Sequence, residues 1–471
     1  MKKSAMLAKS VVVVLAVVAG LAGAASKKEW ASRTIYQVLT DRFGTSTGSA
    51  PGCGLSDYCG GTWKGIERQL DYIEGMGFDA VWISPVVKNT EGGYHGYWAQ
   101  DLTALNEHFG TEAELVSLLN ALHNRGMYLM IDVVANHMGN PSAARGYSDF
   151  VPFNSSAHYH DCDGCPRSCN IEHWGNQAEV EHCRLSGLPD LNQTEPFVRS
   201  ELIRWIRDVA AAHSDGLRID TIAEVEKPFW RELQSAVGMF AIGENYNGDI
   251  AYVSGYQDVL DSVLSYPMYF TMRDVFASGA SMRSLGARLA DDEQHYRDTS
   301  VLGTFIDNHD QPRFLAVQPD TWRYRNALVF TLFSTGIPIV YYGTEQGFRG
   351  GADPKNREPL WTSRYDTTAE LYTFLRTTIR ARRQQAVWNS PLVERWQDDQ
   401  VYAFTRGNTL VVTTNQGGNA PEITRTITYH PYTVGTRLCN IYYPDDDCIT
   451  VTDNGIPITL LHGEPKVFIV S

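Results

Sequence analysis

Short apolar runs alternating with stretches of helical periodicity make up the chain as far as about residue 385. Residues 34–39 form an apolar, β-rich run, after which Ile66, Leu70 and Ile73 fall on one helical face of segment 65–73, since residues three and four apart share a face. A second run, 78–85, precedes a helix expected over 112–124, and a third, 128–134, ends in Ala135, Asn136 and His137. Residues 138–189 then lack sustained periodicity and are rich in Gly, Pro, Ser, His and Cys. Such a segment is too long for an ordinary loop and predicts a small excursion held by disulfides. Beyond it, a helix over 197–212 leads to a run at 216–220, and a helix over 228–237 leads to a run at 239–244. A weaker run near 263–266, one at 301–306 and one at 337–342 bring the set to eight.

Eight short strands separated by helices predict an α/β fold, a (β/α)8 TIM barrel rather than an open sheet. From about Trp396 the texture changes to alternating Val, Thr, Tyr and Ile with turn residues, as in 401–405 and 409–414. That alternation predicts a C-terminal antiparallel β-sandwich domain. The expected division is a leader over 1–25, a barrel over 26–137 and 191–385, an excursion over 138–190 and the β domain over 386–471.

The strand ends carry the candidate chemistry. Gly216-Leu-Arg-Ile-Asp220 brings out Asp220 with Arg218 two residues earlier on the same face, because strand side chains repeat with period 2. The run at 239–244 ends in Glu244, and the run at 301–306 leads into His309 and Asp310. A structural Arg–Asp pair would account for Arg218 and Asp220 alone. Three carboxylates at strand ends point instead to one acidic site, because barrels of this kind place their chemistry at the C-terminal ends of strands.

Residues 1–25 have a basic start, an apolar core from Val11 to Leu21 and small residues at Ala22, Ala24 and Ala25, the pattern of a secretory leader. The apolar core is too short and too rich in small residues for a good membrane span, and nothing later in the chain resembles one. An even count of eight cysteines then reads as a disulfide set. Cys53 with Cys59, and Cys439 with Cys448, are spaced to clip single loops, while Cys162, Cys165, Cys169 and Cys183 crowd one region with no readable connectivity. His158, His160, His173 and His182 lie in the same crowd, so zinc is the alternative there, although the spacing matches no common finger. Asn154 and Asn192 head candidate glycosylation acceptor triplets. The net charge of -14, more acidic still without the leader's lysines, argues against nucleic acid as a partner.

Several separated motifs resemble the α-amylase family of retaining glycoside hydrolases, most closely its secreted fungal members. They are His95-Gly-Tyr-Trp98, Asp132-Val-Val-Ala-Asn-His137, Leu188-Pro-Asp190, the Asp220 and Glu244 segments, Asp307-Asn-His-Asp310 and Asp353-Pro-Lys-Asn-Arg357. The resemblance implies Asp220 as nucleophile, Glu244 as acid/base and Asp310 as the third carboxylate. It implies that His95, Tyr97, Trp98, His137, Arg218, His309, Asp353 and Arg357 bind substrate, with His137 and His309 donating to sugar hydroxyls. Calcium is the implied cofactor, held by the side chains of Asn136 and Asp190 and by backbone carbonyls of Glu181 and Glu224. The implied activity is endo-hydrolysis of α-1,4-glucan polysaccharides and maltooligosaccharides by a secreted monomer, away from membranes. After Asp220 the family usually reads Thr-Val-Lys-His, whereas this chain has Thr221, Ile222, Ala223 and Glu224; Asn245 and Tyr246 also depart from an apolar pair. These changes bear on the grip on acceptor sugars. A 4-α-glucanotransferase or a maltogenic amylase with strong transfer is the alternative within the chemistry, and a non-catalytic glucan-binding protein the alternative outside it.

Overall fold

The computed structural model describes residues 25–471. The leader expected at 1–25 lies, except for its last residue, outside the described residues. Eight buried strands make the barrel: β1 (Ile35–Val38), β2 (Ala80–Ile83), β3 (Tyr128–Val133), β4 (Gly216–Ile219), β5 (Phe240–Gly243), β6 (Ser262–Val263), β7 (Gly303–Thr304) and β8 (Ile337–Tyr341). All pair in parallel, in the order β6-β5-β4-β3-β2-β1-β8-β7. A parallel bridge between Leu264 and Gly303 closes the ring, and Ser265 N–H donates to the Gly303 carbonyl at 2.8 Å. Both faces of these strands are covered, as expected where helices wrap a parallel sheet.

The bottom of the barrel is plugged by Trp30, which stacks on Phe240 with centroids 5.3 Å apart and donates through Nε1 to the Asp215 carbonyl at 3.2 Å. Gly216 begins β4 directly beneath it. A Cβ there would stand 2.6 Å from the Trp30 ring, so only glycine admits the plug.

Three local expectations need correction. The strand expected at 263–266 is only Ser262–Val263, and Tyr266 opens a helix, Tyr266–Met272, whose Pro267 suits a first turn that needs no backbone donor. The strand expected at 301–306 shrinks to Gly303–Thr304, because Val301 ends a 3-10 turn, Thr299–Val301. The helix read over 65–73 is two helices, Trp63–Arg68 and Leu70–Met76, broken at Gln69.

The excursion rises between β3 and β4. At its neck the entering and leaving strands bridge at His137 and Asp190, with Met138 N–H donating to the Pro189 carbonyl at 3.1 Å and Leu191 N–H to the Asn136 carbonyl at 2.8 Å. The connectivity left open by spacing is Cys162–Cys169 and Cys165–Cys183; Cys53–Cys59 and Cys439–Cys448 clip their loops. With every cysteine bonded, the zinc alternative falls. Ile171, Val180 and Cys183 form a core of their own too small to hold the segment unaided. Replacing Cys165 and Cys183 by serine, across a separation of 18 residues, is therefore expected to cost about 3 kcal/mol. The readout is a lower Tm with new proteolytic nicking inside 138–190; an unchanged Tm would show that the crosslink constrains nothing.

After the last barrel helix, Glu370–Gln384, a six-stranded antiparallel sheet packs against a two-stranded ribbon, Ile423–Ile427 with Ile456–Leu460. Their shared core includes Leu410, Val412, Ile427, Ile456 and Phe468.

Candidate active site

A cleft of about 670 Å³ opens at the C-terminal ends of the strands. Its walls bring together His95, Tyr97, Trp98, His137, Asp220, Glu224, Glu244, His309, Asp310, Asp353 and Arg357. His95, Tyr97 and Trp98 come from a hairpin after β2, Val87–Asn89 with Ala99–Leu105, whose strands the periodicity did not reveal. Arg218 lies beneath the floor, 1% exposed.

Arg218 organises the floor. Its Nη1 stands 2.7 Å from Asp220 Oδ1 and its Nη2 stands 2.7 Å from Glu244 Oε2, so one guanidinium bridges both carboxyls. Nη1 also reaches both oxygens of Asp132, at 3.0 and 3.1 Å. Asp132 in turn accepts from Trp82 Nε1 at 3.1 Å and Tyr97 hydroxyl at 2.8 Å. Burial pushes the Asp132 carboxyl up to about 7, with Arg218 opposing. The sequence reading included Asp132 in a motif but assigned it no role; it orients both Arg218 and Tyr97.

Glu244 is held from its other side by the Tyr266 hydroxyl, which donates to Oε1 at 3.0 Å, while Asn308 Nδ2 donates to the Tyr266 oxygen at 2.9 Å. Burial raises the Glu244 carboxyl well above the ordinary range; it outweighs Arg218, and the neighbouring Asp220 adds to the rise. Asp310, more open to the cleft, is raised by desolvation against the pull of Arg357 and Arg218. Tyr266 escaped the sequence reading because it was taken as a strand residue, and Asn308 stood within a quoted motif with no role assigned to it.

Burial holds His95, His137 and His309 below the usual imidazole range, so all three are neutral near pH 7. Their partners set the tautomers. His95 Nδ1 accepts from Tyr97 N–H at 3.0 Å and His309 Nδ1 accepts from Gln37 Nε2 at 2.8 Å, leaving Nε2–H free to donate in each. His137 Nδ1 faces the Met138 carbonyl at 3.1 Å, and its Nε2 stands 3.9 Å from Asp220 Oδ2 at the cleft wall. The Tyr97 ring stacks on His309, nearly coplanar at 3° with centroids 5.2 Å apart.

Arg357 is 6% exposed rather than a surface ion-pair residue. It pairs with Asp353 at 2.9 Å, reaches Asp310 at 3.5 Å and donates through Nε to the His309 carbonyl at 3.0 Å.

At the neck of the excursion, buried Asn136 turns its amide to two oxygens, the Glu224 carbonyl at 3.1 Å and Asp190 Oδ1 at 3.0 Å. With its nitrogen toward them the amide donates to both. With its oxygen toward them three oxygens converge, an arrangement that a hard cation between them stabilises. Glu181 belongs to the helix Gln177–His182, in the last turn, where carbonyls lack intrahelical partners. Its side chain accepts from Gln177 Nε2 at 2.8 Å, and Gln177 also donates to the Ala223 carbonyl, which ties that helix to the turn carrying Glu224. Among the described residues no cluster of three or more His, Cys, Asp or Glu could bind a metal, so any ion here relies on amide and carbonyl oxygens beside the single Asp190 carboxylate.

A closed parallel barrel whose floor holds an acid pair bridged by one arginine, under an open cleft, has the form of a barrel glycoside hydrolase. The chain belongs to the alpha-amylase family: the description "Alpha amylase, catalytic domain" matches residues 37–390. It is 36% identical to Alpha-amylase 2 of Schwanniomyces occidentalis over 95% of this chain and 92% of that protein. Among solved structures it resembles an alpha-amylase from Malbranchea cinnamomea, with a TM-score of 0.89 and 42% identity, covering 95% of this chain and 98% of that one. A cyclomaltodextrin glucanotransferase with a three-domain ABC distribution shares the architecture at a TM-score of 0.80 and 26% identity, over 93% and 99% of the two chains.

Proposed function

We propose that the protein is a secreted, calcium-dependent α-amylase that cleaves internal α-1,4-glucosidic bonds of starch, glycogen and maltooligosaccharides with retention of configuration. One observation carries the reading: Arg218 bridges Asp220 and Glu244 at the floor of a cleft able to hold a sugar chain. The reach of a single guanidinium suits the separation of roughly 5 Å that a retaining pair needs.

In this reading Asp220, oriented by Arg218, attacks the anomeric carbon while Glu244, kept protonated by burial, gives its proton to the glycosidic oxygen. The bond to the leaving sugar breaks and a glycosyl ester forms on Asp220. Glu244, now ionised, takes a proton from water, which attacks the same carbon and releases the sugar. Asp310 holds ring hydroxyls as the sugar flattens, Tyr97 offers an aromatic face to its C–H side, and His95, His137 and His309 bind its hydroxyls. Arg357 with Asp353 holds the far edge of that sugar.

The test is a chromatographic time course on a defined maltooligosaccharide. Products only shorter than the substrate support hydrolysis. Oligomers longer than the substrate that appear early and persist would make the enzyme chiefly a transferase, the second reading that Ala223 and Glu224 favour. A chain that binds the sugar and leaves it intact would sink both.

Calcium fits the neck: Asn136, Asp190 and the carbonyls of Glu224 and Glu181 would hold it, and its role is to fasten the excursion to the barrel. A chelator is expected to lower the Tm and added calcium to restore it, by about 2.7 kcal/mol at a hundredfold excess over Kd. Asp190→Asn should remove the calcium-dependent shift, and a Tm indifferent to chelator would rule the ion out. The leader pattern and four disulfides support secretion. Exposed Asn154 offers the more accessible glycosylation acceptor.

A further inference from the structure

β1 runs into a short helix, Thr40–Phe43, in which Asp41 and Arg42 are charged and fully buried, yet neither lines the cleft. Taking two charges out of water costs about as much as their attraction returns, so such a pair is explained by what it holds.

On one side the pair holds a loop outside the barrel. Asp41 accepts from Cys59 N–H at 2.7 Å and Gly60 N–H at 3.0 Å, and Arg42 Nη2 donates to the carbonyls of Leu55 at 2.9 Å and Asp57 at 2.7 Å. These partners lie in or beside the segment clipped by Cys53–Cys59. Gly54, Ser56 and Asp57 of that segment are exposed, and the crosslink narrows where its two acceptor carbonyls can stand.

On the other side the same guanidinium meets the cleft wall from behind. Its Nη1 donates to the Arg357 carbonyl at 3.4 Å, and its Cζ lies 4.0 Å over the Tyr94 ring. The Tyr94 hydroxyl in turn accepts from Arg357 Nη1 at 3.1 Å. Arg357 is thus held at its backbone by Arg42 directly and at its guanidinium through Tyr94. A second tie runs from Trp361 Nε1 to the Pro51 carbonyl at 3.1 Å, fastening the turn Leu360–Ser363 beyond Arg357 to the start of the same loop. Asp41 stands 2.9 Å from Arg42 and Asp353 stands 2.9 Å from Arg357, so each cation has its own carboxylate and both can share Tyr94.

We propose that Arg42 is a positioning residue for the Arg357–Asp353 pair, and that the Cys53–Cys59 loop sets the place of that pair from outside the cleft. This rests on the glucan-cleaving reading above and extends its far-edge sugar contact to residues that touch no substrate. An ammonium cannot make the stacked, forked contact of Arg42, so lysine is not a conservative replacement there.

The experiment measures Tm, and kcat and KM on maltoheptaose well below each variant's Tm, in the full-length protein. The variants are Arg42→Lys, Cys53→Ser with Cys59→Ser, and each of these combined with Arg357→Ala. Alone, each change is expected to lower kcat/KM about tenfold, as a misplaced binding group does. On top of Arg357→Ala, which removes what is positioned, neither should lower it by more than about twofold further. Losses that multiply across the combinations, or a lower Tm with kcat/KM unchanged, overturn the proposal and leave glucan cleavage standing. If Arg42→Lys fails to fold, the cysteine pair on its exposed loop decides by the same two criteria. A wild-type protein inert on maltoheptaose overturns the glucan reading itself.

Discussion

Asp220→Asn is expected to reduce turnover of soluble starch by on the order of 10⁴-fold or more, with no matching loss of substrate binding. The side chain keeps its shape and can still accept from Arg218 Nη1, which lies 2.7 Å from Oδ1 in the native protein. What it loses is the negative charge that forms the bond to the anomeric carbon. Substrate held by Tyr97, His309 and Arg357 should still bind, so KM moves little while kcat collapses. Turnover within tenfold of the wild type would remove Asp220 from the reaction and with it the retaining mechanism.

Glu244→Gln is the second large effect, a fall of about 10²- to 10⁴-fold on starch. The amide is neutral, like the protonated acid that burial favours, so the fold should survive with its Tm intact. The loss should shrink on an aryl maltoside whose phenol departs without a proton. The pH profile gives a sharper sign. Glu244 has a raised pKa, so its acid form, and the activity, is present below that value and lost as pH rises through it. In the glutamine variant that alkaline limb should vanish from the residual rate. An alkaline limb that persists would assign it to another group and leave Glu244 without its role as acid.

Much of the site was legible because strands are local. The runs ending at Asp220 and Glu244 are apolar through the strand and polar at its end, and β4 and β5 close within a residue of where that pattern stops. Asp310 was legible for the same reason, although β7 itself is only Gly303–Thr304, because the polar residues beyond it still fall at the rim. Tyr266 was not legible: an aromatic residue after an apolar run reads as more strand, and only packing against Glu244 shows why a helix begins there. Gln37 sits among apolar residues of β1 and gave no sign that it sets the tautomer of His309, 272 residues away.

The amino-acid sequence alone determined the number and order of the barrel strands, the switch to a β domain near residue 396 and the identity of the acids at the rim. These follow from patterns of apolar and polar positions within windows of a few residues, which local backbone geometry reads directly. The tertiary structure alone decided that one arginine serves both acids, that Cys165 pairs with Cys183, and that Asn136, Asp190 and the Glu224 carbonyl converge. It also decided that Gln37 meets His309 Nδ1, that the Met138 carbonyl meets His137 Nδ1 and that Tyr252 borders two hollows. Each of those depends on strand register and ring closure, which bring side chains from distant segments within hydrogen-bond reach, and no local window contains both partners.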